Sequence, residues 1–187
     1  YAGLIEACRH YGTLIAGAYG WWKGDEEYSM LEKYVPEMNL YKTRVWVVGS
    51  KDRGKTWQTL GTPGYWPELG DEGMGEPGIT ELANGDLLMV LRNGEWGEPI
   101  FQTRSTDGGR TWSKPKKLPA TGVWPTPCLL SNGMLVVAVG RGRPPHYHLW
   151  VSPDGRGETW TSRTLIAEGG KGYASVVEVA PGRLVYS

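Results

Sequence analysis

One eight-residue motif occurs three times along this chain, and this repetition constrains the fold more than any other feature. The copies read SKDRGKTW, STDGGRTW and, with one residue inserted, SPDGRGETW. They begin at Ser50, Ser105 and Ser152, so their spacings are 55 and 47 residues. A repeat of this length is typical of architectures in which each unit is one supersecondary element.

A second signal keeps the same period as these octets. Four apolar segments are interrupted by a glycine-centred turn, and two of the turns are Asn-Gly, which favours a hairpin because type I′ turns need positive φ. The turn glycines are Gly12, Gly85, Gly133 and Gly182. We therefore predict that each unit runs in the order strand, tight turn, strand, loop, strand, octet and strand, which is a four-stranded antiparallel meander.

Four antiparallel strands repeating at roughly 45 to 50 residues are typical of a propeller blade. A β-sandwich would also explain many short strands, but it does not explain why two turn signals keep one phase. The 28 Gly, 13 Pro and 10 Trp, against a single Phe, favour short strands and tight turns over helices. We therefore predict an all-β fold, a partial β-propeller with about three four-stranded blades and the first hairpin of a fourth.

The whole chain is predicted to be one partial propeller domain, residues 1–187, with blades 1–62, 63–119 and 120–168 and a partial blade 169–187. The first blade is longer because about eighteen extra residues, around 21–42, separate its second and third strands. The stretch DEEYSMLEKYV within this insertion is compatible with a short helix. Because the chain starts inside a readable pattern, we expect it to be a fragment.

The residue types of the octet suit a structural role. The Asp side chain is short enough to accept hydrogen bonds from backbone N–H groups of its own turn, and Gly109 suits the positive φ of a chain reversal. Thr and Trp return to strand, where the Trp ring covers the edge of its sheet. A cation or sugar site at the Asp is the less favoured alternative, so we predict that the octets are scaffold.

Strand order places the two ends of each blade on different faces. In a meander the first and third turns share a face, which carries the glycine turns and the octets and which we call the octet rim. The opposite face, the site rim, carries residues that enter each first strand or leave each second strand. The site-rim candidates are Glu76, Trp124 and Tyr173 at strand entries, and Arg92, Arg141 and Arg143 after strand exits. Each alone is compatible with packing or a surface charge, but their shared phase favours a common site.

The octet pattern Ser-x-Asp-x-Gly-x-Thr-Trp resembles the Asp-box of the sialidase-like, BNR-repeat superfamily. Further segments similar to such proteins are GEPGITELANGDLLMVLRNG, TRSTDGGRTWSKPKKLP, LLSNGMLVVAVGRGRP and GYASVVEVAPGRLVYS. The resemblance covers essentially the whole chain. It implies a six-bladed propeller, of which this chain would carry blades three to five and the start of blade six. It also implies an exo-glycosidase that removes terminal sialic acid.

The resemblance implies that Tyr173 is the nucleophile and Glu76 its base, although Ala174 stands where sialidases often have Ser and Pro77 replaces a small residue. A neutral nucleophile suits sialic acid, whose carboxylate would repel a carboxylate nucleophile by roughly 4 kcal/mol at ~4 Å. A phenol attacks poorly at neutral pH until a base takes its proton, which is the role implied for Glu76.

The resemblance also implies that three arginines bind the substrate carboxylate, since a guanidinium pairs with a carboxylate bidentately. Arg92 in MVLRNG fits one of them, and Arg143 in GRGRPP fits another less securely because Arg141 is near. Trp124 is a further substrate-binding candidate, by stacking on a sugar, and packing within the fold is the alternative interpretation. The third arginine and the acid/base Asp would come from the first blade of the complete propeller.

Charge and composition argue against several other classes of function. The chain has no formal net charge, which argues against nucleic acid or an anionic membrane as a partner, and no apolar run approaches ~18 residues. Cys8 and Cys128 match neither a disulfide framework nor a zinc spacing. His146 and His148, predicted on a solvent-exposed strand face, have no evident third ligand. We therefore expect no metal and no cofactor.

We predict a sialidase-like exo-glycosidase, incomplete in this chain, whose partner is a sialoside or a related glycan. Two alternatives stay open. One is a non-catalytic sugar-binding propeller that uses Trp124 and the Trp21–Trp22 pair, and the other is a structural fragment whose open strand edges pair with a second copy. The resemblance is compatible with a secreted or periplasmic location, and the sequence itself assigns no compartment.

Overall fold

The computed structural model describes residues 2–28, 41–94, 99–141, 146–169 and 172–187, and within these ranges every regular element is a β-strand. In chain order the strands are β1 Ala2–Cys8, β2 Thr13–Gly20, β3 Arg44–Ser50, β4 Gln58–Gly61, β5 Gly75–Glu81, β6 Leu87–Arg92, β7 Pro99–Ser105, β8 Lys116–Thr121, β9 Val123–Leu129, β10 Leu135–Gly140, β11 Tyr147–Ser152, β12 Ser162–Ala167, β13 Val176–Ala180 and β14 Arg183–Tyr186. The predicted all-β class is confirmed.

The strands form four separate sheets, each made of consecutive strands. The orders are β1-β2-β3-β4, β5-β6-β7-β8, β9-β10-β11-β12 and β13-β14, and every pairing within them is antiparallel. Three four-stranded blades and one hairpin match the predicted partial propeller. The predicted blade boundaries stay predictions, and the one at 119 falls inside β8, which ends at Thr121.

The insertion of the first blade is anchored at its base. Residues 25–27 have no regular structure, and Tyr28 forms an isolated bridge with Tyr41. Asp25 is buried and accepts hydrogen bonds from the Arg44 guanidinium at the start of β3, with Nε donating to Oδ2 at 2.7 Å. The rest of the predicted helix, residues 29–35, lies outside the described residues.

Each octet forms the turn between the third and fourth strands of its blade. In the second octet the Asp107 carboxylate accepts bonds from the hydroxyl of Ser105 at 2.8 Å and from the N–H and hydroxyl of Thr111 at 2.9 and 2.6 Å. Gly109 has φ of +89° and donates its N–H to Ser105 Oγ, and Trp112 Nε1 donates to the Gly109 carbonyl at 3.0 Å. The predicted local role of the octet is confirmed.

These hydrogen bonds hold the octet carboxylates in their ionised form. The pKa of Asp52 falls to about 2, chiefly because the Thr56 hydroxyl and N–H donate to it. Burial acts to raise the pKa of Asp107, but bonds from Thr111, Ser105 and the Arg110 N–H outweigh it and lower the pKa to about 2. The pKa of Asp154 is lowered in the same way.

The hydrophobic core lies between neighbouring blades. Ile15, Val47 and Leu87 belong to a buried cluster that joins the first two blades, and similar clusters join the second blade to the third and the third to the terminal hairpin. Burying each such side chain contributes about 1.5–3 kcal/mol relative to exposure. Each blade is therefore stabilised mainly by the blades beside it.

A glutamate near the end of an inner strand binds the turn of the preceding blade. Glu81 of β5 accepts bonds from the backbone N–H groups of Arg9 and His10, both at 2.8 Å. Glu178 of β13 accepts bonds from the N–H and hydroxyl of Ser131 at 2.6 and 2.9 Å. Each carboxylate thus satisfies turn N–H groups one blade back, and we call this contact the glutamate clasp.

Candidate functional site

The inner strands enter the site rim through strained backbone. Glu76 of β5 has φ of +46° and Trp124 of β9 has φ of +49°, and the strand pairing shifts register beside each of them, as expected of a β-bulge. A positive φ in a non-glycine residue costs on the order of 1–3 kcal/mol, and bulges redirect side chains. Arg141, immediately after β10, has φ of +48°. The fold therefore accepts strain at three of the predicted site residues.

Glu76 is the most deeply buried of the described charged groups on this rim, with 2% of its side chain exposed. Its Oε1 accepts a hydrogen bond from Nη1 of Arg92 at 3.0 Å. Its Oε2 accepts a bond from the backbone N–H of Trp124 at 2.7 Å. A buried carboxylate needs such partners. The Arg92 bond lies within the second blade, and the Trp124 bond connects the second blade to the third.

Arg92 faces a second carboxylate as well. Its Nη2 lies 3.5 Å from Oε2 of Glu72, which is in the loop before β5, and also donates to the Gly94 carbonyl at 3.4 Å. Burial raises the pKa of Glu72 above its ordinary value; the Arg92 charge opposes this rise, whereas the charges of Glu76 and Asp71 add to it. The guanidinium therefore holds two carboxylates of different exposure.

Tyr173 lies at the open edge of the rim, with 52% of the residue exposed. Its ring contacts Trp124 at a centroid distance of 5.1 Å, and the Arg141 guanidinium carbon lies 5.4 Å from the ring centroid. This is the geometry of a cation–π contact. Tyr173 is thus accessible to a ligand and has a cation beside its ring.

The backbone on both sides of Tyr173 is anchored. The Gly172 N–H donates to Tyr147 Oη at 3.0 Å, and the Thr126 hydroxyl donates to the carbonyl of the buried Ala174 at 3.1 Å. These bonds connect the Tyr173 segment to β11 and β9, so the exposed phenol stands on a fixed backbone.

The structure brings five of the six predicted site residues together on one rim. Contacts run from Arg92 through Glu76 and Trp124 to Tyr173 and on to Arg141. The sixth, Arg143, lies outside the described residues. Among the described contacts, Glu76 makes no hydrogen bond to Tyr173; its oxygens bind Arg92 and the Trp124 N–H. The chemical roles of these residues stay predictions.

Sequence reasoning missed Glu72 and Tyr147. Glu72 lies in the irregular loop before β5, and Tyr147 lies in a third strand, so neither shares the phase that identified the others. The expected exposure of His148 is wrong, since it is 3% exposed and its pKa is lowered, first by burial. A strand face of β11 packs inside the blade, which period-two alternation alone could not decide.

The described ranges of the chain contain no group of three His, Cys, Asp or Glu side chains arranged to hold a metal ion. No helix in the same part of the chain has the length and apolar character needed to cross a bilayer.

Comparisons with known proteins agree with the fold. A family model described as a BNR repeat-like domain matches residues 10–185, which is nearly the whole chain. A search of curated protein sequences found no significant match.

Solved structures share the fold at low sequence identity. A protein of unknown function from Dyadobacter fermentans has a TM-score of 0.73 at 20% identity, over 98% of this chain and 47% of that one. The Hadza microbial sialidase Hz136 has a TM-score of 0.66 at 21% identity, over 98% and 40%. The NanB sialidase from Streptococcus pneumoniae has a TM-score of 0.66 at 13% identity, over 98% and 46%. The chain therefore spans less than half the length of each.

Proposed function

Since this chain belongs to the BNR repeat-like family, we propose that it forms part of a retaining exo-glycosidase of sialidase type that acts on a terminal sialic acid or a related acidic sugar. One observation carries the proposal. An exposed tyrosine, Tyr173, a buried carboxylate, Glu76, and the cations Arg92 and Arg141 converge on a single rim through direct contacts.

In the proposed reaction, Tyr173 Oη attacks the anomeric carbon and forms a covalent glycosyl-enzyme while the bond from that carbon to the aglycone oxygen breaks. The leaving alcohol takes its proton from the acid/base Asp that the resemblance places in the first blade of the complete propeller, and water then releases the sugar from Tyr173. A neutral phenol meets no like-charge repulsion from the sugar carboxylate, and Glu76 takes its proton. Catalytic hydrogen bonds are often long in ligand-free sites and tighten with substrate, so we assign the Glu76–Tyr173 proton transfer to the substrate-bound state. Arg92 and Arg141 orient the ring by binding its carboxylate.

The test is the variant Tyr173→Phe in the full-length protein, assayed with an aryl sialoside. We expect kcat to fall at least ~100-fold, because the nucleophile is lost while the exposed ring keeps its packing. Circular dichroism and the unfolding midpoint should match the wild type. Turnover like that of the wild type would rule out the proposed nucleophile.

A second candidate is non-catalytic sugar binding. It is favoured by the exposed indoles at the base of the insertion, where Trp21 is 61% exposed and Trp22 packs against Trp46 with centroids 5.4 Å apart. Aromatic rings with a polar edge suit ligand stacking. A glycan array that shows stable capture, together with no release of free sugar, would favour this candidate over hydrolysis.

Self-association is a third candidate, favoured by the terminal hairpin. Val177, Val179 and Val185 are each half-exposed on β13 and β14, and an exposed apolar sheet can pair with another copy. Light scattering tests this directly: a concentration-dependent dimer would support it, and a folded monomer at all concentrations would exclude it.

A further inference from the structure

The Arg92 guanidinium lies beside two carboxylates, those of Glu76 and Glu72. Its Nη1 lies 3.0 Å from Glu76 Oε1, and its Nη2 lies 3.5 Å from Glu72 Oε2. The two carboxylates are not equivalent, because the Glu76 side chain is 2% exposed whereas that of Glu72 is 29% exposed. Glu76 is buried within the fold, whereas Glu72 lies on the solvent-exposed side of the Arg92 guanidinium.

The backbone of Glu72 is held in place, so its carboxylate does not reach Arg92 by chance. The Glu72 carbonyl accepts hydrogen bonds from the N–H and hydroxyl of Thr43, at 2.8 and 3.1 Å. On its other side, a Cβ on Gly94 would overlap the Glu72 side chain, so this close approach depends on glycine. The loop thus presents the carboxylate to Arg92 from a fixed position.

We propose that Glu72 is a positioning residue that controls whether Arg92 can bind the carboxylate of an acidic sugar, an inference that rests on the proposed function. The ionised Glu72 carboxylate occupies the Nη2 side of the guanidinium and repels an incoming carboxylate. Protonated Glu72 carries no charge, so Nη2 becomes available to the substrate. Glu72 therefore occupies the position beside Arg92 Nη2 that the substrate carboxylate would take.

The pH dependence follows from the groups that face Glu72, namely Arg92, Glu76 and Asp71. Burial raises the pKa of Glu72, Arg92 opposes the rise, and the two other carboxylates add to it. Glu72 therefore takes up its proton at a higher pH than an ordinary glutamate. Affinity for an acidic sugar should rise as the pH falls through this range, whereas affinity for a neutral sugar should not.

Calorimetry on the full-length protein can test this with N-acetylneuraminic acid and its neutral methyl ester, at about pH 7.5 and about pH 5. In Glu72→Gln we expect the acid to bind about 5-fold or more tightly at the higher pH, with most of the pH dependence lost and no change for the ester. The matched control Asp71→Asn removes the same charge one residue earlier. It should keep a pH dependence, with its midpoint at a lower pH because Asp71 is one of the charges that raise the pKa of Glu72. Equal gains for acid and ester, or wild-type behaviour of Glu72→Gln, would overturn the proposal.

A second measurement separates this inference from the proposed function. The ¹⁵N signal of the Arg92 guanidinium and the ¹³C signal of the Glu72 carboxyl are followed against pH without any sugar. Both should titrate with one midpoint, and the Arg92 response should vanish in Glu72→Gln. If neither sugar binds any variant, the proposed function fails; an Arg92 signal that ignores Glu72 overturns the control by Glu72 whatever the sugar result.

Discussion

The two rims of this propeller are built in opposite ways. On the octet rim, the same residues make the same hydrogen bonds within each turn, as Asp52 and Asp107 do with the threonine four residues later. On the site rim, equivalent strand positions carry different residues, Glu76 and Trp124 among them, and their contacts cross between blades. Repeated local contacts maintain the blades, and the departures from repetition assemble the candidate site.

This difference shows where the fold tolerates strained backbone and buried side chains. The positive φ of Arg53 on the octet rim lies where the next octet has Gly108, so it belongs to the turn itself. At the site rim the positive φ values belong to residues that contact one another, including Glu76 and Trp124. A substitution on the octet rim should therefore cost stability, and one among the contacting residues of the site rim should cost activity.

The largest expected effect is that of Gly140→Ala at the end of β10. A Cβ there would overlap the carbonyl oxygen of Gly172 and lie 3.2 Å from the carbonyl carbon of Tyr173. Moving the nucleophile by about 1 Å can cost ~100-fold, so we expect such a loss in kcat under the proposed function. The measurement is turnover of an aryl sialoside alongside a denaturant melt.

Gly20→Ala is the matched control, because Gly20 ends β2 of the first blade. Its Cβ would meet only an ordinary contact, 3.4 Å from the ring of Trp46. It should keep activity within about 2-fold of the wild type, because its Cβ would overlap no backbone atom and Gly20 is not one of the contacting site residues. Equal losses in both variants would mean that strand-end packing, and not the position of Tyr173, limits turnover.

A smaller effect is expected when the octet rim is changed by Asp107→Ala. The carboxylate that accepts bonds from Ser105 and Thr111 is lost, and the free energy of unfolding should fall by about 1–2 kcal/mol. Urea unfolding measures this change, and kcat of the folded fraction should stay unchanged. Thr106→Ala, at the exposed neighbour, serves as the control and should be near neutral. A loss of kcat without a loss of stability would place the octet in the chemistry.

The smallest effect is the response of stability to acid. Asp52 and Asp107 have pKa values lowered to about 2, so their contribution is complete above about pH 4 and is lost as the pH falls toward 2. Glu72, with a raised pKa, has the opposite sign, since the folded state binds its proton more readily. Urea midpoints from about pH 5 to about pH 2.5 should therefore fall, and less steeply in Asp107→Ala. A flat profile in the wild type would contradict the role of these carboxylates.

Most of the blade architecture could be predicted from the sequence because its signals are local. Asn-Gly turns and octets act within a few residues, so Gly85 and Asp107 could be assigned without knowing any neighbour. Phase alone also indicated Glu76, Arg92, Trp124 and Tyr173 as neighbours on one rim. Local rules and strand order were sufficient for that much.

The remainder depends on contacts between blades, which have no local signature. Glu72 lies in an irregular loop, and nothing near it in sequence indicates that its carboxylate reaches Arg92. The insertion could not be predicted in detail either, since its buried Asp25 is stabilised by Arg44, nineteen residues away. The same reason applies to the exposure of His148, which depends on what covers that face of β11.

The glutamate clasp gives the array a direction. Glu81 and Glu178 each bind the turn of the preceding blade, so polar groups as well as apolar side chains join the first blade to the second and the third blade to the terminal hairpin. The third blade departs from this pattern, because β9 has Leu129 at the position that Glu81 holds in β5 and Glu178 holds in β13. An exchange of repeats should therefore be tolerated better at the junction of the second and third blades, where Leu129 takes the place of the glutamate, than at the two junctions that have the clasp.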